Sequence, residues 1–141
     1  MTDTQSFLFD FSRVDNFIEQ FNSIFKISEM NANNNFELIF CSDSPNNIKD
    51  CLTSGGGLNS EVTPALNGVV PCSLKWENNT ISIRNSITWN IGENPVPLKS
   101  VFIRHSATGF VMAYCIHITE FIVTNKIIFD GGTVLWRFVD G

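Results

Sequence analysis

Between Ser12 and Ile27 the apolar residues Val14, Phe17, Ile18, Phe21, Ile24 and Phe25 recur at three- and four-residue steps. That spacing lays one apolar stripe along a helix and predicts an amphipathic helix over 12–27. Ser12 and Asp15 stand at the two positions of a capping box, and Arg13, Asn16, Glu19, Gln20 and Asn22 fill the polar face. The Phe-rich face is expected to pack on a sheet. Ahead of it, Phe7, Phe9 and Phe11 alternate with Leu8 and Asp10. Period two reads either as a first strand packed on its own core or as an extended arm over 1–11 that reaches a neighbouring subunit.

After the Asn-rich turn 31–35 the period of two returns. FELIFC (36–41) reads as a strand, 42–47 as a loop, and 48–52 as one helical turn. The segment 53–71 holds Gly55, Gly56, Gly57, Pro64, Gly68 and Pro71 and few periodic apolar positions, which predicts a long irregular connection. A loop of that length in a compact domain usually serves contact with a partner.

From Cys72 onward short alternating runs follow one another: Leu74 and Trp76, then Ile81 and Ile83, then Ile87, Trp89 and Ile91. They predict strands of a meander over 72–141, broken at Gly92–Pro97. Leu98–Arg104 and Phe110–Ile118 flank the turn His105-Ser106-Ala107-Thr108-Gly109, a hairpin signal, and Ile116–Val123 extends it or begins another strand. Lys126–Phe129 and Val134–Val139 flank Asp130-Gly131-Gly132-Thr133, a second hairpin. Strands spaced this closely, with no helical pattern between them, pair antiparallel. The expected class is mostly β, an antiparallel β-sandwich or jelly-roll-like domain with one N-terminal amphipathic helix.

The chain of 141 residues fits a single domain, 1–141, able to bury a core without staples. Residues are 43% hydrophobic but only 16% charged, so disorder is excluded and the surface is left to Asn, Ser and Thr. A surface so thin in charge suits a chain covered in an assembly, although codon bias toward Asn, Ile and Phe accounts for the same composition. The net charge of −5 and nine scattered Lys and Arg argue against nucleic acid, which requires clustered cations. No apolar run reaches the ~18 residues that span a bilayer, and Met1–Asp10 has no signal-peptide pattern, so neither a membrane nor export is expected.

Catalytic chemistry finds little support. Cys41, Cys51, Cys72 and Cys115 form no C-x-x-C pair and read as buried free thiols. His105 falls in a turn and is expected to be solvated. Cys115 and His117 share one strand face, but a nucleophile or metal site there lacks an orienting partner or further ligands. Gly55-Gly56-Gly57 lacks the Lys of a phosphate loop, and Asp130-Gly131-Gly132 lacks the spaced oxygens of a calcium loop. Asn78-Asn79-Thr80 matches a glycosylation sequon without a secretory signal. Trp76, Trp89 and Trp136 suit a sheet core better than a sugar-binding face. No catalytic, cofactor or metal residue is assigned.

The stretch 87–141, with SITWNIG at its start, then PLKSVFIRHSATGFVMAYCI and NKIIFDGGTVLWRFVDG, resembles the C-terminal half of small virion proteins of tailed bacteriophages. The shared features are a Trp-bearing strand, a hairpin whose second strand ends in Ala-Tyr, and a terminal strand after Asp-Gly. The Asn- and Ile-rich composition is similar to that of phages of Bacteroidetes hosts, the crAss-like group among them. The resemblance implies a non-enzymatic structural protein of the virion, assembled in the host cytoplasm: an auxiliary capsid protein, a head-fibre component, or a ring or tail subunit.

The leading expectation is therefore a multi-copy subunit that contacts other virion proteins or copies of itself. Its candidate contacts are Phe7, Phe9 and Phe11 of the arm and Leu58, Val62 and Leu66 of the loop. The alternatives are a carbohydrate- or receptor-binding β-sandwich module using Trp76 or Trp89, and a small enzyme using Cys115 and His117.

Overall fold

The computed structural model describes residues 3–4, 12–14, 36–77, 80–132 and 134–137. In chain order the elements are β1 (Asp3–Thr4), β2 (Ser12–Arg13), β3 (Phe36–Asp43), α1 (Ile48–Cys51), β4 (Thr63–Cys72), β5 (Leu74–Glu77), β6 (Thr80–Ile83), β7 (Ile87–His105), β8 (Val111–Phe129) and β9 (Val134–Arg137). The fold is mostly β, as the alternating runs predicted. Six strands form a large sheet in the order β1-β8-β7-β3-β4, with β2 also on β8. Three form a small sheet in the order β5-β6-β9. Every pairing is antiparallel except β1 with β8.

The centre of the large sheet is one long hairpin, β7 and β8, each 19 residues. Its tip is the predicted turn: Gly109 N–H donates to the His105 carbonyl and His105 N–H to that of Phe110. The hairpin is not straight. Phe40 of β3 faces Val101 of β7, and its ring also stacks on Trp89 of the same strand, with centroids 4.5 Å apart and planes at 12°. A straight strand would separate positions 89 and 101 by ~40 Å at ~3.3 Å per residue. The strand must therefore fold back between them, so that its first part lies over β3.

The register shows how. From Asn90↔Lys126 to Val96↔Val123, six steps of β7 match three of β8. From Leu98↔Phe121 to Ser100↔Ile116, two steps of β7 match five of β8. Each strand thus carries a three-residue excess, and the two cancel, so the ladder resumes its original alignment. Paired excesses of this kind bend a ribbon without flipping its faces. Gly92, Pro95 and Pro97 sit in the bend, where the sequence reading expected a break rather than a continuous strand. The prolines are tolerated because β3 flanks β7 only from Ser100 to His105, so their missing N–H groups interrupt no ladder on that side.

The same bend explains the N-terminal pairings. Asp3 and Thr4 pair with Ile127 and Ile128, and Ser12 and Arg13 with Tyr114 and Ala113. Eight chain steps join Thr4 to Ser12, at most ~28 Å, whereas positions 114 and 128 of a straight β8 would lie ~46 Å apart. The expected helix therefore does not begin at Ser12: Ser12 and Arg13 are strand, and Val14 N–H donates to the Met112 carbonyl. The hydrogen-bonding edge of β8 wins over a side-chain cap. The rest of that helix, 15–27, and Phe7, Phe9 and Phe11 lie outside the described residues.

Three further expectations are corrected. Residues 63–71, read as part of a loop, form β4 together with Cys72, an end strand of the strand order, where Pro64 and Pro71 are permitted. And 126–139 is not a hairpin: β8 ends at Phe129, while β9 joins β6 in the small sheet. Gly132 N–H donates to the Ile83 carbonyl and Gly131 N–H to Ser86 Oγ, which hands the chain from one sheet to the other. β5, β6 and β7 likewise split between the sheets instead of forming one meander.

One core cluster joins both sheets, with Trp89, Phe36, Phe40, Phe102, Leu38, Leu74, Ile81 and Ile83 wholly buried. In β7 burial alternates from Ile87 to Ile91 but is unbroken from Ser100 to Ile103, so the bend separates a one-sided from a two-sided part of the sheet.

Candidate contact surface

Residues 45–62 close into a compact strap against the hairpin. Asn47 caps α1 by accepting from Lys49 N–H at 3.0 Å. Leu52 bridges Leu58, Thr53 N–H donates to the Gly57 carbonyl, and Asn59 N–H to that of Cys51. Asn59 Nδ2 donates to the Asp50 carbonyl, and its Oδ1 accepts from Glu61 N–H. Val111 N–H donates to the Gly56 carbonyl at 2.9 Å, tying the strap to the base of β8. Gly56 has φ 88° and lies against the Phe110 ring, where a Cβ would come within 2.7 Å of it. The first part of 53–71, which the sequence reads as a loop serving a partner, is held by hydrogen bonds within itself and to Val111 of the hairpin.

The three loop candidates therefore part company. Val62 is 8% exposed and belongs to the core, and Leu58 packs half-buried against it. Leu66 is 67% exposed. The structure adds Val69, 44% exposed, three residues along the same strand. No periodic signal marked it, because 63–72 reads as a strand only once its irregularity is known.

That irregularity presents Leu66. From Ile39↔Val69 to Cys41↔Pro64, two steps of β3 match five of β4, a three-residue excess over Ala65–Gly68. Asn67 at its crest has φ 56°, the left-handed region that Asn tolerates better than most residues. Gly68 turns the chain back so close to β3 that a methyl group there would overlap the Phe40 carbonyl oxygen. Trp89 Nε1 donates to the Leu66 carbonyl at 2.9 Å. The exposed leucine side chain thus stands on a backbone pinned from below by the indole.

The electrostatics of this edge are simple. The ten residues of β4, TPALNGVVPC, carry no charge. Beside Pro71, Glu37 of β3 accepts from Arg104 Nε at 2.7 Å across the sheet, an ion pair that neutralises the nearest charges. Glu61 and Lys75, both exposed, lie just beyond the two ends of the strand.

The other candidate chemistries are placed as follows. None of the four cysteines is in a disulfide, and all are buried. Burial pushes Cys41 and Cys72 up to about 12, and burial, with Asp50 adding to it, pushes Cys51 up to about 11. Those thiols are protonated and poorly nucleophilic at neutral pH. Cys115 is 7% exposed, and the side chain of His117 lies outside the described residues. His105 is 2% exposed rather than solvated, its Nδ1 2.9 Å from Thr108 Oγ1 and its ring edge-on to Phe36. Trp89 is fully buried and offers no stacking platform to a sugar; the side chains of Trp76 and Trp136 are outside the described residues. Among the described residues no group of three His, Cys, Asp or Glu is placed to hold a metal, and no helix is long and apolar enough to cross a membrane.

No protein-family model, no curated protein and no solved structure matches this chain.

Proposed function

We propose that this chain is a non-enzymatic structural protein of a tailed-bacteriophage virion, an auxiliary capsid, head-fibre or ring/tail subunit that works through protein-protein contacts. The bent large sheet and the small sheet packed with it in one core are read as a sandwich of the jelly-roll kind. The observation that carries the proposal is the β4 edge: ten uncharged residues holding two of the three exposed large hydrophobic side chains among the described residues, Leu66 and Val69. Exposed apolar side chains on an uncharged strand are a liability for a free chain and an asset for one buried in an assembly. The low charged fraction of 16% and the resemblance of 87–141 to small virion proteins point the same way.

The test is genetic. A stop codon early in the gene, in the phage that carries it, should leave infected cells replicating phage DNA but accumulating incomplete particles, heads without tails or bare capsids, in negative-stain micrographs. Complete, infectious particles made at normal yield would overturn the proposal.

A further inference from the structure

We infer that Asn67 and Gly68 form a site of spontaneous deamidation that the folded bulge of β4 holds closed, so that reaction at Asn67 follows local opening of that strand. Of all the asparagines in the sequence, only Asn67 is followed by glycine. Glycine has no side chain to shield its own backbone nitrogen, which leaves that nitrogen able to attack the side chain before it. Asn67 is also exposed, at the crest of the Ala65–Gly68 excess.

Water is the only outside reagent the chemistry needs. The Gly68 backbone nitrogen bonds to Asn67 Cγ, and the side-chain amide leaves as ammonia, carrying away the proton that the nitrogen gives up. The resulting succinimide ring then takes up water at either carbonyl. One opening gives aspartate; the other gives isoaspartate, with the main chain rerouted through the former side chain. Either product places a carboxylate on a strand of ten uncharged residues.

The fold opposes ring closure. The Gly68 nitrogen reaches Asn67 Cγ only by rotation about the Asn67 Cα–C bond, and both neighbours of Asn67 are anchored against that rotation. Trp89 Nε1 donates to the Leu66 carbonyl at 2.9 Å on one side. On the other, Gly68 is buried and lies so close to β3 that a Cβ would overlap the Phe40 carbonyl oxygen. Between them Asn67 is held at φ 56°, in the left-handed region. Isoaspartate inserts an extra main-chain atom between the two anchors, so the bulge does not close over that product in its original geometry. Modification at Asn67 is thus a lasting record that β4 has opened.

Peptide mapping by mass spectrometry tests this on the full chain kept at mildly alkaline pH, native or in urea, with circular dichroism to confirm that each native variant is folded. In urea Asn67 should convert ahead of Asn85, which is followed by Ser86. In the native chain it should convert at least about tenfold more slowly than in urea. Trp89→Phe, which removes the donor to Leu66, should raise the native rate about five- to tenfold, the factor that goes with one hydrogen bond. Ile81→Val, which trims the core in the small sheet, should raise it far less. A native rate equal to that in urea overturns the gating, and a Trp89→Phe chain no faster than the wild type overturns the part played by the indole. Equal acceleration by both variants overturns local opening in favour of global unfolding. An Asn67 that stays intact even in urea overturns the site itself.

Discussion

At the residue scale the burdens fall on a few side chains that connect elements. Trp89 stacks on Phe40 and bonds the Leu66 carbonyl, so it ties the bent hairpin to two other strands. Replacement by Phe keeps most of the ring contact but removes the donor, and should cost about 1–3 kcal/mol in chemical denaturation. Gly68→Ala forces a methyl group into the Phe40 carbonyl and should cost roughly 2–4 kcal/mol by the same measurement, because the obstacle is backbone and cannot move aside. By contrast Leu66→Lys, at an exposed position, should leave stability within about 0.5 kcal/mol. The thiols give a pH signature. Their pKa values are raised on folding from 9.0 to about 11 for Cys51 and about 12 for Cys41 and Cys72. A thiol raised in this way contributes its full stability below its unfolded value and loses it as pH climbs through the folded one. The fold should therefore be undisturbed by these groups up to about pH 9 and weaken between 9 and 12. Denaturation midpoints measured across that range, with Cys72→Ala flattening the decline, check it.

Elements show what the sequence could and could not announce. The tip at His105–Gly109 and the strands FELIFC, Leu74–Glu77 and Thr80–Ile83 were legible because their turn residues and alternation are local. The continuity of β7 through Gly92–Pro97 and of β4 through Pro64–Gly68 was not. In both, a three-residue excess breaks the period of two, and Gly and Pro sit in the excess for reasons set by the neighbouring strand rather than by a turn. The partner of β9 was hidden for a related cause: Asp130-Gly131-Gly132 has hairpin composition, and only the contact of Gly131 and Gly132 with 83–86 diverts the chain to β6. Leu66 and Val62 look alike in sequence, each an apolar residue among turn formers, yet Leu66 is exposed and Val62 is core. The paired excesses make a prediction of their own. Removing residues 93–95 alone shifts the ladder by an odd number and turns buried positions outward, so the protein should lose cooperative unfolding. Removing 118–120 as well restores the alignment but straightens the hairpin, so strand content should return in circular dichroism without the Phe40–Trp89 stack.

For the whole molecule, thin charge and an apolar edge describe a chain whose solubility depends on keeping its few charges. Turbidity should be greatest near the sequence pI of about 4.8, where net repulsion vanishes, and should be relieved there by Leu66→Lys. The central claim is that the chain is a component of the particle. Quantitative mass spectrometry of gradient-purified virions tests it most directly. The account predicts peptides of this chain in intact particles, at a fixed ratio to the major capsid protein and in many copies. Peptides found in the infected-cell lysate but missing from the purified particles would contradict it.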